Sequence, residues 1–274
     1  RTARNKISEL VNMKKIIKEF ALSLGVDDVG VAAVADYQSP RSPKLETIFP
    51  GVKSIVVMAY KEPSSCESSN MQVAMSGRMD VMEFSRSCNY RMSRFIEREF
   101  GATAMAAPAS YPLEMSMETM GAIGDVSLRH AAIAAGLGAF GRHNLVIHPK
   151  LGTRVIFTAI LTDLEIASDA PCKEELCINC DLCVEQCPAG ALDEENRTDV
   201  GKCLRNSQPY GIGNSIRFWS KFADGTPEEK KKMVKGVDFW RMYQAGFIGF
   251  QYFCWNCMKS CPVGQKDEKA SIQK

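Results

Sequence analysis

The hydrophobic pattern of the first half of the chain switches between helical and strand-like periods. Apolar residues recur at helical spacing over Ile7–Leu24, with lysines between them, which predicts an amphipathic helix. Short apolar runs over Val29–Val34 and Arg154–Thr162 predict strands, and the unbroken run Ser54–Tyr60 predicts a strand that is buried on both faces. Helices alternating with such strands predict an α/β (α+β) fold for this part of the chain.

Weaker patterns fill the intervals between these elements. Helical spacing predicts helices over Asn89–Phe100 and Val126–Ala135, and short apolar runs predict strands over Ala102–Ala107 and Asn144–His148. The segment Glu62–Met79 is rich in Ser and Met and has no clear period. We therefore predict a loop there.

The composition of the chain changes after Asp163, where Cys, Asp, Glu and Pro become dense and strand-like runs end. We place a domain boundary near residue 168, which predicts an α/β domain over residues 1–168 and a cysteine-rich domain over residues 169–274. Within the second domain, the charged stretch Pro227–Val234 predicts a solvated helix.

Charge and composition exclude several classes of function. The chain has 274 residues, with 34 Lys and Arg against 32 Asp and Glu, which does not suit a protein that binds nucleic acid mainly through phosphate contacts. Its longest apolar stretch, Ala245–Trp255, is too short to span a bilayer, so we expect no transmembrane segment. No signal-peptide pattern is present at the start of the chain, so we predict a cytoplasmic location. Export of a processed form stays open, since the chain starts at Arg1.

The cysteines carry the strongest chemical signal. Nine of the 11 fall between Cys172 and Cys261. The run Cys177-x2-Cys180-x2-Cys183-x3-Cys187-Pro has the spacing of a bacterial ferredoxin that binds [4Fe–4S] clusters. Short gaps let one tight loop present three thiolates to a cubane, and the fourth cysteine of such a run binds the other cluster of a two-cluster ferredoxin.

A second cysteine motif supplies the ligands that a second cluster needs. Cys254-x2-Cys257-x3-Cys261-Pro is a shortened copy of the run, and Cys203 is available as its missing ligand. Crossover then predicts two sets of four thiolates. The first set is Cys177, Cys180, Cys183 and Cys261, and the second set is Cys187, Cys203, Cys254 and Cys257. Zinc sites also use C-x2-C pairs, and disulfides are a third interpretation, but neither needs the continuous ferredoxin run.

A glycine motif in the first domain invites a different interpretation. Gly136-Leu-Gly-Ala-Phe-Gly141 matches the G-x-G-x-x-G pattern of dinucleotide-binding folds. That fold needs a strand before the glycines and a helix after them, whereas here the predicted helix comes first and the strand follows. We therefore predict a helix C-terminus followed by a tight turn.

Several motifs, in this order, resemble a known superfamily. They are Leu45-x4-Pro50-Gly-Val-Lys-Ser54, Leu128–Asn144, Pro149-x2-Gly152-x-Arg154, Leu161-Thr-Asp-Leu164 and the cysteine run. In this combination the chain resembles the reductive dehalogenases and epoxyqueuosine reductases. The resemblance implies a nitroreductase-like N-terminal domain that binds a corrinoid (cobalamin), followed by a two-[4Fe–4S] ferredoxin-like domain. It also implies an external low-potential electron donor of the ferredoxin or flavodoxin type.

By the same resemblance, the turn after the Ala-rich helix and the strand that begins at Arg154 would line the corrinoid. The implied cofactor-binding residues are Arg129, Gly136, Gly138, Gly141, Arg142, His143, Asn144 and Arg154. The catalytic Asp of epoxyqueuosine reductases falls near Ala122, so Asp125 is the acid candidate, with a helix N-cap as its alternative role. Tyr90 and Tyr111 are candidates for the Tyr acid of the dehalogenases, and packing is the alternative for Tyr90.

These observations leave the function open between three classes. The first is a corrinoid-dependent reductase that acts on a small-molecule or nucleoside-like substrate. The second is an electron-transfer or corrinoid-reducing protein without its own substrate, which the missing catalytic Asp favours. The third is a binding protein that has lost the cofactor.

Overall fold

The computed structural model describes residues 3–108, 116, 118, 123–195, 197–247 and 252–264. Its helices are α1 (Ala3–Ser23), α2 (Leu45–Ile48), α3 (Met71–Phe100), α4 (Leu128–Ala134), α5 (Leu182–Glu185), α6 (Val200–Ser207), α7 (Ile212–Asp224), α8 (Pro227–Lys235), α9 (Val237–Phe247) and α10 (Asn256–Lys259). Its strands are β1 (Asp28–Ala33), β2 (Ser54–Lys61), β3 (Ala104–Ala106), β4 (Ala139–Phe140), β5 (Val146–Ile147) and β6 (Val155–Thr162). Short 3-10 turns lie at Val34–Asp36 and Ser64–Glu67.

Within the described residues, four of the strands form one antiparallel sheet in the order β1-β2-β6-β3. The two long strands pair at its centre, with Val57 opposite Ala159. Every residue of β2 from Ser54 to Tyr60 is buried, which confirms the strand predicted from the unbroken apolar run. β4 and β5 form a separate two-stranded ribbon.

Helices cover both faces of the central sheet. Alternate residues of β2 point to opposite faces. Val56 and Met58 belong to a core that includes α1 and α3, whereas Ile55 and Val57 belong to a core that includes the alanines of α4. Burial of apolar side chains on both faces stabilises the layers by roughly 25 cal/mol per Å2 of apolar area removed from water. The mixed α and β fold is therefore as expected.

The predicted loop over Glu62–Met79 is wrong from residue 71 onward, because α3 starts at Met71. The Asn70 side chain accepts hydrogen bonds from the backbone N–H groups of Gln72 and Val73 and so caps the helix. The second half of α3 confirms the helix predicted over Asn89–Phe100. Its first half escaped detection because Arg78 and Ser85 lie on the buried face of the helix and interrupt the apolar period.

Three helices, α7 to α9, follow Cys203 and precede Cys254. α8 confirms the helix predicted over Pro227–Val234, and Thr226 and Glu229 form its capping box. α7 and α9 were not predicted. Within the described ranges, the model contains no helix with the length and hydropathy that a bilayer crossing requires.

Candidate iron–sulfur and cofactor site

The first set of cysteines lines one small cavity. Cys177, Cys180, Cys183 and Cys261 meet there, beside Arg142, His143 and Ile147. Asn179 and Asp181 adopt left-handed backbone angles, with φ of 50° and 54°, and these angles let the run curl tightly around the cavity. Cys261 arrives from the end of the described chain, just after α10. The structure therefore brings together the four thiols that crossover assigns to one cluster.

The second set lines a separate and larger cleft of about 820 Å3. Cys187 follows α5, Cys203 lies on α6, and Cys254 and Cys257 flank the start of α10. Asn256 Nδ2 donates to the Gln186 carbonyl at 3.2 Å, which ties the α10 loop to the cysteine run. The two motifs of the sequence thus interlock, each contributing to both sets.

Burial dominates the electrostatics of these thiols. Burial and, to a smaller extent, the neighbouring thiols Cys203 and Cys254 together raise the pKa of Cys257 to about 12. Burial also raises the pKa of Cys183, Cys203 and Cys261. Metal ligands are deprotonated, and four thiolates packed this closely would need bound positive charge to be stable. The iron of a cluster would supply that charge.

Backbone N–H groups point at the sulfurs, as an iron–sulfur site requires. The Arg142 N–H donates to Cys177 Sγ at 3.3 Å, and the Ala191 N–H donates to Cys187 Sγ at 3.3 Å. Hydrogen bonds to cluster sulfurs set the reduction potential of such centres. An all-thiolate donor set with backbone donors fits [4Fe–4S] clusters.

In the part of the chain that the structure describes, no three His, Cys, Asp or Glu side chains come close enough to hold one metal ion together.

Three of the residues expected to bind a corrinoid line the large cleft with the second set. They are Arg129, His143 and Asn144, and the Arg129 guanidinium donates to the Asn144 carbonyl. Asn144 Nδ2 also lies 3.5 Å from Thr198 Oγ1, on the cysteine-rich side of the cleft. Arg41 and His130 line the same cleft. Arg41 was not predicted from the sequence. The one signal for it is its position in a Pro-containing connection after a strand, which is a common place for a binding loop.

Arg154 does not line the cleft, contrary to expectation. Its Nη1 donates to the Cys261 carbonyl and its Nη2 to the Lys259 carbonyl, both at 2.7 Å. Its Nε lies 3.4 Å from a carboxylate oxygen of Glu67, and its side chain is 11% exposed. Arg154 therefore holds the loop that carries the last cysteine of the first set.

The three predicted glycines also lie outside the cleft lining, and each has a packing role. Gly136, at φ 74°, ends α4 as predicted, and a Cβ there would lie 2.2 Å from the Ala170 carbonyl oxygen. A Cβ at Gly138 would lie 2.2 Å from the Ile147 carbonyl oxygen, and one at Gly141 would lie 2.6 Å from the His143 ring. Arg142 lines the cavity of the first set instead of the cleft, with its Nε 3.4 Å from Asp181 Oδ1.

The two candidate catalytic acids, Asp125 and Tyr90, do not line the cleft. Asp125 is half-buried between Gly124 and Ser127, which line the cleft, but it does not line the cleft itself. Nor is it the N-cap of α4, because that position belongs to Ser127. Tyr90 is 69% exposed on α3 and is not among the cleft residues. Ala122 and Tyr111 lie outside the described residues.

His143 lines both the cleft and the cavity of the first set. Burial and, to a smaller extent, the nearby charge of Arg154 together lower the pKa of His143 to about 4. Its Nδ1 accepts a hydrogen bond from the Leu145 N–H at 3.1 Å. The imidazole is therefore neutral at pH 7 and is fixed in one orientation by the turn.

Comparison with known proteins agrees with this geometry. A model of the 4Fe-4S binding domain matches residues 173–193. The chain is 24% identical over 238 residues to the epoxyqueuosine reductase of Staphylococcus aureus, covering 74% of this chain and 61% of that protein. It is 39% identical over 85 residues to a tetrachloroethene reductive dehalogenase of Desulfitobacterium hafniense, covering 29% of this chain and 15% of that one.

The resemblance to this superfamily is confirmed. A crystal structure of an epoxyqueuosine reductase with an epoxyqueuosine-modified tRNA stem loop matches 93% of this chain and 66% of its own, with a TM-score of 0.58 at 18% identity. A catabolic reductive dehalogenase in complex with 3-bromo-4-hydroxybenzoic acid matches 73% of this chain and 30% of its own, with a TM-score of 0.57 at 20% identity. The match to the 4Fe-4S binding domain supports a [4Fe–4S] cluster in this chain. The chain spans about three fifths of the Staphylococcus aureus reductase.

Proposed function

We propose that this chain is a corrinoid-dependent iron–sulfur reductase with two [4Fe–4S] clusters, one held by each cysteine set. A nitroreductase-like domain over residues 1–168 supplies one wall of the corrinoid cleft, and residues 169–274 supply the cysteines. One observation carries the proposal: the second set opens into the same cleft as Arg129, His143 and Asn144. An electron acceptor bound in this cleft contacts the second cluster directly.

The chain's own residues suit a large, amide-bearing cofactor in the cleft. Arg41 and Arg129 present cationic donors, and Asn144 presents a side-chain amide that can donate or accept. Apolar contacts come from Leu145 and Leu192 on the two sides of the opening. A corrinoid, when bound, supplies reduction through its cobalt, and low-potential [4Fe–4S] clusters suit the delivery of electrons to it.

The cleft offers few groups that could protonate a substrate. Among its described lining residues, the one carboxylate is Asp199. Asp199 caps α6, and the Lys202 backbone N–H lowers its pKa, so it is ionised at neutral pH. This observation favours the second candidate function, a corrinoid-reducing or electron-transfer protein without its own substrate. The first candidate function, the corrinoid-dependent reductase, requires a substrate, which would be nucleoside-like or halogenated.

Anaerobic titration of the iron-loaded protein with cobalamin tests the proposal. We expect stoichiometric binding, seen as a change in the visible spectrum of the cobalamin. Arg129→Glu should weaken binding because it reverses a charge on the cleft wall, whereas Arg94→Glu, on the exposed part of α3, should leave it unchanged. Absence of cobalamin binding by protein with a full complement of iron would contradict the proposal.

A second step separates the two candidate functions. The cobalamin-loaded protein is reduced with a low-potential dye and offered an epoxyqueuosine-containing stem loop or a halogenated phenol. Turnover of either supports the reductase. Reduction of bound cobalamin without turnover of any substrate supports the corrinoid-reducing role.

A further inference from the structure

His143 stands where the two cysteine-lined cavities meet. It lines the cavity of the first set and also the large cleft, and it is 4% exposed. No described residue offers its Nε2 atom a hydrogen-bond partner. Leaving such a buried polar atom unpaired costs about 1–3 kcal/mol, so its position calls for an acceptor.

The turn fixes which nitrogen of the ring carries the proton. Nδ1 accepts a hydrogen bond from the Leu145 N–H at 3.1 Å, so its lone pair is used for this bond and it carries no proton. A neutral imidazole then carries its one proton on Nε2. The unpartnered atom is therefore a hydrogen-bond donor.

Packing places this ring beside residues that line the cavity of the first set. A Cβ built at Gly141 would lie 2.6 Å from His143 Cε1 and 2.8 Å from Ile147 Cδ1, so the glycine leaves room for the ring beside Ile147. Ile147 lines the cavity of the first set. The residue before His143 already donates its backbone N–H to Cys177 Sγ at 3.3 Å. This turn thus already donates one hydrogen bond to a sulfur atom of the first set.

We propose that His143 donates its Nε2–H to a sulfur atom of the cluster held by Cys177, Cys180, Cys183 and Cys261, and thereby raises the reduction potential of that cluster. The inference rests on the proposed function, because it needs that cluster to be present. A donor stabilises the negative charge that one-electron reduction adds to the cluster. His143 thus acts through the first cluster, and it lies between that cluster and the cleft.

Two substitutions separate the donor from the contact with Leu145. In His143→Asn, the side-chain oxygen can still accept from the Leu145 N–H, but no donor reaches the place of Nε2. In His143→Gln, the amide nitrogen reaches that place and the contact with Leu145 is lost. His148→Asn is the control, because this buried histidine pairs with Asp28 at 3.2 Å and lines neither cavity.

The measurement is a potentiometric titration of the iron-loaded protein, followed by electron paramagnetic resonance, with iron counted in parallel. In His143→Asn we expect one of the two potentials to become more negative, by about 59 mV for a tenfold loss in the equilibrium constant of a one-electron couple. His143→Gln and His148→Asn should keep the wild-type potentials.

Each other outcome decides the matter. Unchanged potentials in His143→Asn overturn the inference, and so does an equal shift in the Asn and Gln variants, which would indicate a structural role. Loss of iron from the Asn variant alone supports the donor, whereas loss from both variants overturns it. If the wild-type protein itself holds one cluster, the proposed function fails, and the iron count reports this before any potential is compared.

Discussion

Arg154, just before β6, holds the loop that carries the last cysteine of the first set. Its guanidinium bridges the carbonyls of Lys259 and Cys261, each at 2.7 Å, from a side chain that is 11% exposed. Arg154→Met keeps the length of the side chain and removes both donors. Hydrogen bonds to charged groups contribute about 1.5–3 kcal/mol each. Two on one side chain are not additive, so we expect a loss of about 3–4 kcal/mol.

The assay has two readouts. Urea unfolding of the iron-free protein gives the loss in the free energy of unfolding, and iron analysis after reconstitution gives the retained clusters. We expect Arg154→Met to lose the iron of the first cluster, about half of the total, because Cys261 is no longer held in place. Arg154→Lys should be intermediate, since an ammonium group cannot donate to both carbonyls in the planar geometry of a guanidinium.

A matched control is Arg94→Met, because Arg94 pairs only locally with Glu97 on α3 and its side chain is 44% exposed. It should change the free energy of unfolding by less than about 0.5 kcal/mol. Full iron content in Arg154→Met, together with a loss of stability no larger than in this control, would refute the assignment of Arg154 to the cysteine loop.

Three further predictions follow from contacts elsewhere in the fold. Arg78→Met should lower the free energy of unfolding, measured in urea, by about 3–5 kcal/mol. The substitution leaves the buried Glu62 carboxylate without its partner 2.9 Å away, and it removes the guanidinium that stacks 4.0 Å from the centre of the Trp255 ring. A loss below about 1 kcal/mol would count against this prediction. Cys203→Ala should remove the iron of one cluster and Cys172→Ala none, measured by iron analysis; equal iron in both variants would remove Cys203 from the second set. Gly136→Ala should lower the thermal midpoint of unfolding because the new Cβ would lie 2.2 Å from a backbone oxygen. Gly213→Ala, which has open space around it in α7, should instead stabilise the protein by about 0.8–1 kcal/mol. A higher thermal midpoint for Gly136→Ala than for Gly213→Ala would contradict the packing role of Gly136.

The strands and the cysteine sets could be predicted because their signals are local. β2 is an unbroken apolar run because both of its faces are covered, and the run is visible in sequence. The cysteine spacing encodes a loop that must wrap a cubane, so the sets could be written down before any fold was known.

The elements that escaped prediction depend on distant partners. The first half of α3 hides its period because Arg78 and Ser85 occupy buried positions, and Arg78 pairs there with Glu62 at 2.9 Å. Arg154 was expected to contact a cofactor, but its actual partners are carbonyls 105 and 107 residues away in sequence, and no motif identifies them.

We propose that eight cysteines hold two [4Fe–4S] clusters beside one cleft. Iron and acid-labile sulfide, counted per chain after anaerobic reconstitution, test this proposal most directly. We expect about eight of each. About four of each, with no further loss in Cys203→Ala, would contradict it.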